Sequence, residues 1–243
     1  MGLAHSPRIV TDGLVLCLDA ASKRSYPGTG ATWYDISGNG NHFNLYNTPT
    51  FDSDNGGSIS FNGTDEYARS TNTIDLSHDG SYMVEAICKV SNSQPSFLWE
   101  LSANWNTNSG GCGLVLHNTG SGYSSGKCHL NHFSRNGPRN FNMPTENMKW
   151  NMFNQLLSSN TDSTGTLMYI NTELKDFTSE YSTSKASNDF ASVGINDYIW
   201  LGARNGVTLP ALGSISSFKI YKNKKLSVSE IRRNYLSTKE RYS

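Results

Sequence analysis

Apolar residues recur along this chain in short runs separated by turn residues, and several of the runs alternate with a period of two. In YMVEAICKV, Tyr82, Val84, Ala86, Cys88 and Val90 make one wholly apolar face, and Met83, Glu85, Ile87 and Lys89 make a mixed one. Residues at i and i+2 share one side of a strand, so the pattern predicts a strand buried on one face. Leu14 to Leu18, SISF at 58–61, SFLWEL at 96–101, GLVLH at 113–117, WNMFNQLL at 150–157, TLMYI at 166–170 and YIWLG at 198–202 continue the series. In GSISSFKIY the apolar positions are Ile215, Phe218 and Ile220, and the slip in phase between 215 and 218 predicts a β-bulge. Strands at this spacing, with no helical pattern between them, predict an all-β antiparallel sandwich.

One helix is predicted, at the C-terminal end. Ser227 and Glu230 have the spacing of a capping box, and Leu226 and Ile231 stand at the positions of a hydrophobic staple. Ile231 and Tyr235 then share a face, while Arg232, Arg233 and Lys239 look outward. Such a helix is expected to clasp the sandwich. Between about 103 and 148 lie three polar, turn-rich segments separated by short strands, and long loops on a rigid scaffold are where binding usually resides. WYDISGNGNH, residues 33–42, reads as a sharp turn in which Trp33 and Tyr34 pack and Asp35 bonds the loop backbone.

Composition agrees with many strands and polar turns. Charged residues are only 16% of the chain, and 11% aromatic content is enough for a core, which argues against disorder. The 243 residues are expected to form one domain over 1–243, with its core between about 12 and 236. Net charge is zero, yet Lys219 to Arg241 carries eight Lys/Arg against two Glu, leaving 12 basic and 18 acidic residues elsewhere. That asymmetry predicts a basic surface meeting an acidic partner, with Lys224, Lys225, Arg232 and Arg233 as docking candidates. Nucleic acid is disfavoured as that partner, because no stacking motif accompanies the charge. No apolar stretch approaches the roughly 20 residues that span a membrane. Cys17, Cys88, Cys112 and Cys128 show no CxxC spacing, and without a secretory signal they are expected as free thiols. The opening MGLAHS fits a short myristoylation pattern, and the sequon Asn62-Gly63-Thr64 reads as a turn.

The ordered landmarks GLVLCLDAASKRSYPGTGATWYDISGNGNHFNL, GSISFNGTDEYA, SYMVEAICKV, LMYINTEL and LGARNG…LGSISSFKIYKNKKLSVSEIRRNY resemble the laminin-G/concanavalin A-like domain. The resemblance covers about residues 12–236 and is to the version common in virion proteins of tailed bacteriophages, marine and cyanobacterial phages among them. It implies a two-sheet jelly roll of roughly a dozen strands, with ligands held by loops at one rim and Ca²⁺ as a candidate cofactor. Asp65, Glu66 and Asp197 are the candidate calcium ligands, although no Asp-x-Asp-x-Asp run accompanies them. Cys88 stands where the family often has Trp, and Asn171-Thr172 where it often has Asn-Gly. A β-branched Thr is costly at positive φ, so that hairpin is not expected to be a plain type I′ turn.

Catalytic patterns are sparse. Glycosidases on this fold use carboxylates alternating along one strand, and no Glu-x-Asp-x-Glu run exists here. Glu85 and Glu100 are single carboxylates in apolar strands and read as structural partners. In CHLNH, His129 and His132 would fall on opposite faces of a strand, which disfavours a metal pair. Sugar binding asks for an aromatic platform beside amides and charges. Trp105 between Asn104 and Asn106 offers one, with Tyr123, His129 and Arg139 in neighbouring loops, whereas Trp33, Trp150 and Trp200 are expected inside.

Together these features predict a non-enzymatic protein of the virion surface, assembled in the host cytoplasm and held by other virion proteins as an oligomer or lattice. Capsid decoration or cement is placed ahead of a tail-fibre or baseplate lectin that binds host glycans. A glycan hydrolase is the third and disfavoured reading.

Overall fold

The computed structural model describes residues 8–76, 81–91, 96–101, 112–117, 128–134, 137–145, 148–158, 167–175, 196–204 and 208–242. Two antiparallel eight-stranded sheets face one another. The first runs β15 (Glu173–Lys175), β14 (Leu167–Ile170), β13 (Asn151–Ser158), β8 (Ser81–Val90), β18 (Leu212–Lys222), β5 (Ser58–Asn62) and β4 (Thr50–Asp52). Its eighth strand, β1 (Leu14–Asp19), shares one edge of β18 with β5. The second sheet runs β12 (Gly137–Thr145), β11 (Cys128–Ser134), β10 (Cys112–His117), β9 (Ser96–Leu101), β17 (Ile199–Leu201), β6 (Tyr67–Ser70), β3 (Phe43–Tyr46) and β2 (Thr32–Trp33). A short pair, β7 (Ile74–Asp75) with β16 (Asn196–Asp197), stands apart.

The core lies between the sheets and follows the predicted alternation. Val84, Ala86 and Cys88 of β8 meet Trp99, Ile199 and Leu201 from the other side, and the Trp99 and Phe218 rings lie 6.3 Å apart. The expected bulge is present: the register of β18 against β8 shifts between Ile215 and Ser217. That extra residue returns Phe218 and Ile220 to the core face.

The mixed face of β8 is buried as well. Met83 and Ile87 join Met152, Tyr221, Val10, Leu226 and Ile231 in a second apolar cluster outside the first sheet. Helix α1 (Val228–Thr238) covers this face, and its capping box at Ser227 and Glu230 is formed. Eleven residues make a marginal helix alone, so burial of Leu226 and Ile231, worth roughly 2 kcal/mol each, holds it in place. Lys219 and Glu85 sit beneath it, with Lys219 Nζ 2.7 Å from Glu85 Oε1. Asn234 of α1 donates to the other carboxylate oxygen at 2.8 Å and to the Tyr221 hydroxyl at 2.9 Å. Glu85 is therefore the structural partner that its lone position suggested.

Three expectations need correction here. The Asn171-Thr172 hairpin has φ of 49° and 79°, so both central residues take the left-handed conformation of a type I′ turn. Tertiary contacts outweigh the cost of Thr there: Asn171 accepts from Met152 N at 2.9 Å and donates to Asn151 Oδ1 at 2.8 Å. Residues 137–145 form a strand where polar loop was expected. Pro138 and Pro144 are compatible with β12 as an edge strand, where an N–H on the outer side has no ladder partner to lose. Finally, Trp150 is half-buried on the outer side of the first sheet, its ring 4.9 Å from that of Tyr242.

Buried thiols give the fold a pH dependence. Burial pushes the Cys17 thiol from 9.0 up to about 11, and burial raises Cys88 in the same direction. Between pH 9 and 11 an unfolded chain gives up the Cys17 proton while the folded chain keeps it. This contribution is whole below pH 9 and falls as the pH rises to 11, by up to about 3 kcal/mol. Thermal scans across that window should show a shallower decline for Cys17→Ser than for the parent. Parallel slopes would show that the thiol is not the group responsible.

Candidate functional site

The WYDISGNGNH turn is architecture. Asp35 is buried and its Oδ1 accepts from Cys17 N at 2.9 Å and Ser37 N at 2.8 Å. Its Oδ2 accepts from Ser37 Oγ at 2.8 Å and Asn41 N at 3.0 Å. Trp33 is fully buried as expected, but Tyr34 is 43% exposed, its ring edge-on to that of His42, so its expected packing is corrected. Tyr34 follows an inward residue on a two-residue strand, and alternation turns it to solvent.

Of the residues proposed for sugar contact, Asn104, Trp105, Asn106 and Tyr123 lie outside the described residues. His129 and Arg139 stand in strands rather than loops, on β11 opposite His117 and on β12 opposite His132. Their side chains also lie outside the described residues.

The proposed calcium ligands are not brought together. Asp65 and Glu66 precede β6, whereas Asp197 pairs with Ile74 beyond its other end. Pairing of Trp200 with Arg69 and Leu201 with Ala68 puts most of β6 between them, a separation of roughly 20 Å at about 3.3 Å per residue. Asp65 and Glu66 serve the sequon turn instead: Asp65 Oδ1 accepts from Asn62 Nδ2 at 2.9 Å and Glu66 Oε2 from Asn62 N at 2.7 Å. Burial pushes the Glu66 carboxyl above its ordinary range, which weakens it as a calcium ligand. Among the described residues no three His, Cys, Asp or Glu side chains form a metal-holding group.

A cluster that the sequence reading missed lies on the outer face of the second sheet. Phe43 and Leu45 of β3, Ala68 of β6 and Ile199 and Leu201 of β17 point into the core. Alternation sends Asn44, Tyr46, Tyr67, Arg69 and Trp200 to the opposite face. Trp200 is thus buried, as expected, but outside the core between the sheets. Pairing sets Arg69 between Asn44 and Trp200, and Tyr67 opposite Tyr46.

The Tyr46 and Tyr67 rings stack at 4.7 Å and 9°, and Trp200 lies 5.2 Å from Tyr67. The Arg69 guanidinium is 4.7 Å from the Tyr198 ring centre and 5.3 Å from those of Tyr46 and Trp200. It donates to the Tyr46 hydroxyl at 3.0 Å, while its buried Nε has no hydrogen-bond partner. Burial raises the Tyr67 phenol above its ordinary value. Flat rings, phenolic hydroxyls and a guanidinium suit a ligand with an apolar face and hydroxyls around it. The available signal was alternation in FNLY, YARS and YIWL, whose non-core positions are all polar or aromatic.

No protein-family model matches the chain, and no curated protein does. Solved structures do match. A structure of botulinum neurotoxin type C, which depends on two ganglioside molecules to enter cells, aligns over 94% of this chain and 52% of its own, at 13% identity and a TM-score of 0.64. The binding domain of botulinum neurotoxin DC, solved with rat synaptotagmin II, gives the same coverage and identity with a TM-score of 0.65. Domain 4 of AbnA, an extracellular arabinanase of Geobacillus stearothermophilus solved with arabinotriose, aligns over 92% of this chain and 98% of its own, at 17% identity and a TM-score of 0.61. The fold is a lectin-like jelly roll. This chain spans about half the length of the neurotoxin chains and nearly all of the arabinanase domain.

On this jelly roll the two single carboxylates lie on opposite outer faces. Glu85 points away from the core on the first sheet, and Glu100, opposite Trp200 and 3.8 Å from Arg204, does so on the second. Sheets pack about 10 Å apart, so the two cannot flank one bond. Much of the basic tail is balanced within the chain. Lys219 pairs with Glu85, Lys222 with Asp75, Lys224 with Asp12 and Glu230, and Arg241 with Asp19. Of the four docking candidates, Lys224 is thereby engaged and Arg233 donates to the Arg8 carbonyl, while Lys225 and Arg232 are exposed.

Proposed function

We propose that this chain is a non-catalytic binding domain that recognises a glycan through the Arg69 platform. The observation that carries the reading is one guanidinium set among three rings on the outer face of the second sheet. A pyranose can lay its apolar face on the half-buried Tyr46 and Tyr67 rings while its hydroxyls take the phenols and the outer edge of the guanidinium. The arabinotriose and ganglioside associations of structurally similar proteins support that choice of ligand class. A protein receptor is the other ligand class that such neighbours take. Calcium is not required by this reading.

Purified protein should bind a subset of an immobilised glycan panel, and Arg69→Met should weaken that binding by about tenfold, the equivalent of 1.4 kcal/mol. Its unfolding temperature should stay within a few degrees of the parent. Binding that survives Arg69→Met unchanged would remove the platform from the mechanism.

We place the domain on the surface of a phage particle, on the strength of its sequence resemblance. Exposed Lys225 and Arg232 favour a contact of α1 with an acidic neighbour there. Capsid decoration and a tail position are separated by imaging of intact particles: density repeating over the capsid lattice means decoration, density at the tail alone means adhesion. Absence from the particle would refute the placement.

A further inference from the structure

A second cleft, of about 480 Å³, opens on the other side of the molecule between the C-terminal segment and the first sheet. Ile87 and Met152 form its apolar floor, and Trp150, Tyr235 and Tyr242 stand around it. Tyr242 is fixed in place because its hydroxyl bonds Ser216 Oγ, behind the rings. Such a volume is at the small end of ligand pockets and suits one or two sugar rings.

The polar lining is specific. Asn151 and Asn171 meet at 2.8 Å, and their amides also take Lys149 O at 3.1 Å and Met152 N at 2.9 Å. Each amide has two N–H groups and two acceptor sites, so these bonds leave each Asn able both to donate and to accept once more. Lys149, Lys239 and Glu240 line the rim of the cleft. A third ammonium, Lys89, lies 5.1 Å from the Trp150 ring centre and 3.9 Å from Asp52, so among the described residues three ammoniums stand against two carboxylates. The backbone around the cleft is strained: Met148, Asn171 and Thr172 hold φ of 55°, 49° and 79°. Non-glycine residues in this region cost about 1–3 kcal/mol each and gather at functional sites.

We infer that this cleft is a saccharide site for a pyranose carrying a carboxylate, separate from the Arg69 platform. The rings receive the apolar face of the sugar, the paired asparagines its hydroxyls, and Lys239 its acid group. The two sites lie on outer faces of opposite sheets, so one jelly roll could engage two glycan chains at once.

Calorimetric titration of the full chain with digalacturonate and with digalactose tests this directly. Digalacturonate should bind, and digalactose at least about fivefold more weakly, because it lacks the charge. Lys239→Ala alters an exposed side chain and should weaken digalacturonate about tenfold without moving the unfolding temperature. Tyr235→Ala should do so as well, with its own unfolding temperature as the control for folding. Arg69→Met should leave this titration unchanged, even if glycan binding at the platform fails. Equal affinity for the two sugars would overturn the acidic assignment. No binding, or binding indifferent to Lys239→Ala, would overturn the site.

Discussion

Lys219→Met should lower the midpoint of thermal unfolding by roughly 10 °C, the largest loss expected from any single exposed or buried charge described above. The ammonium is buried under α1 and bonds Glu85 at 2.7 Å. Burial pulls its pKa down, but the carboxylate more than offsets this, so Lys219 stays charged well above its ordinary range. Removing it leaves Glu85 buried with only Asn234 and the surrounding dipoles to stabilise it, at a cost of about 3–5 kcal/mol. Pairing the change with Glu85→Gln removes both charges while keeping an acceptor for Asn234, and should restore most of the loss. A double variant as unstable as the sum of its parts would mean that packing, not the stranded charge, sets the penalty.

Asp35→Ala should cost about 3–4 kcal/mol, close to the Lys219 effect. Four donors converge on this carboxylate, three of them backbone N–H groups at Cys17, Ser37 and Asn41. Cys17 lies in β1, so the loss would loosen the junction between the turn and the first sheet as well as the turn itself. Asp35→Asn keeps one acceptor oxygen and should recover about half. Amide exchange at Cys17 and Asn41 provides the local readout. Protection unchanged in Asp35→Ala would show that the turn is held by its glycines and asparagines alone.

The parts of this fold that were legible share a physical origin. Alternation in β8, the phase slip in β18 and the capping box at Ser227 are all properties of residues within a few positions of one another. Strand faces and helix ends are local, so local pattern reveals them. Asp35 was legible for the same reason, since two of its partners are two and six residues away. Pairing of Asn171 and Thr172 with positive φ was not, because the bonds that hold Asn171 come from β13, some twenty residues earlier.

The candidate site shows the same division more sharply. Trp105 was chosen because its neighbours in sequence are amides, whereas the Arg69 platform draws on β3, β6 and β17, which are far apart along the chain. No local window contains Tyr46, Arg69 and Trp200 together. Likewise, eight basic residues near the C-terminus suggested a charged surface, yet Lys219, Lys222, Lys224 and Arg241 find partners at positions 85, 75, 12 and 19.

By itself, then, the sequence determined the all-β class, the C-terminal helix, the bulge and the role of the 33–42 turn, because each rests on short-range periodicity or hydrogen bonding. Tertiary structure alone decided which rings meet a guanidinium, which charges are neutralised and that Asp197 stands apart from Asp65 and Glu66. Those outcomes depend on strand order and register, and register is set by how two whole faces fit, not by any one segment.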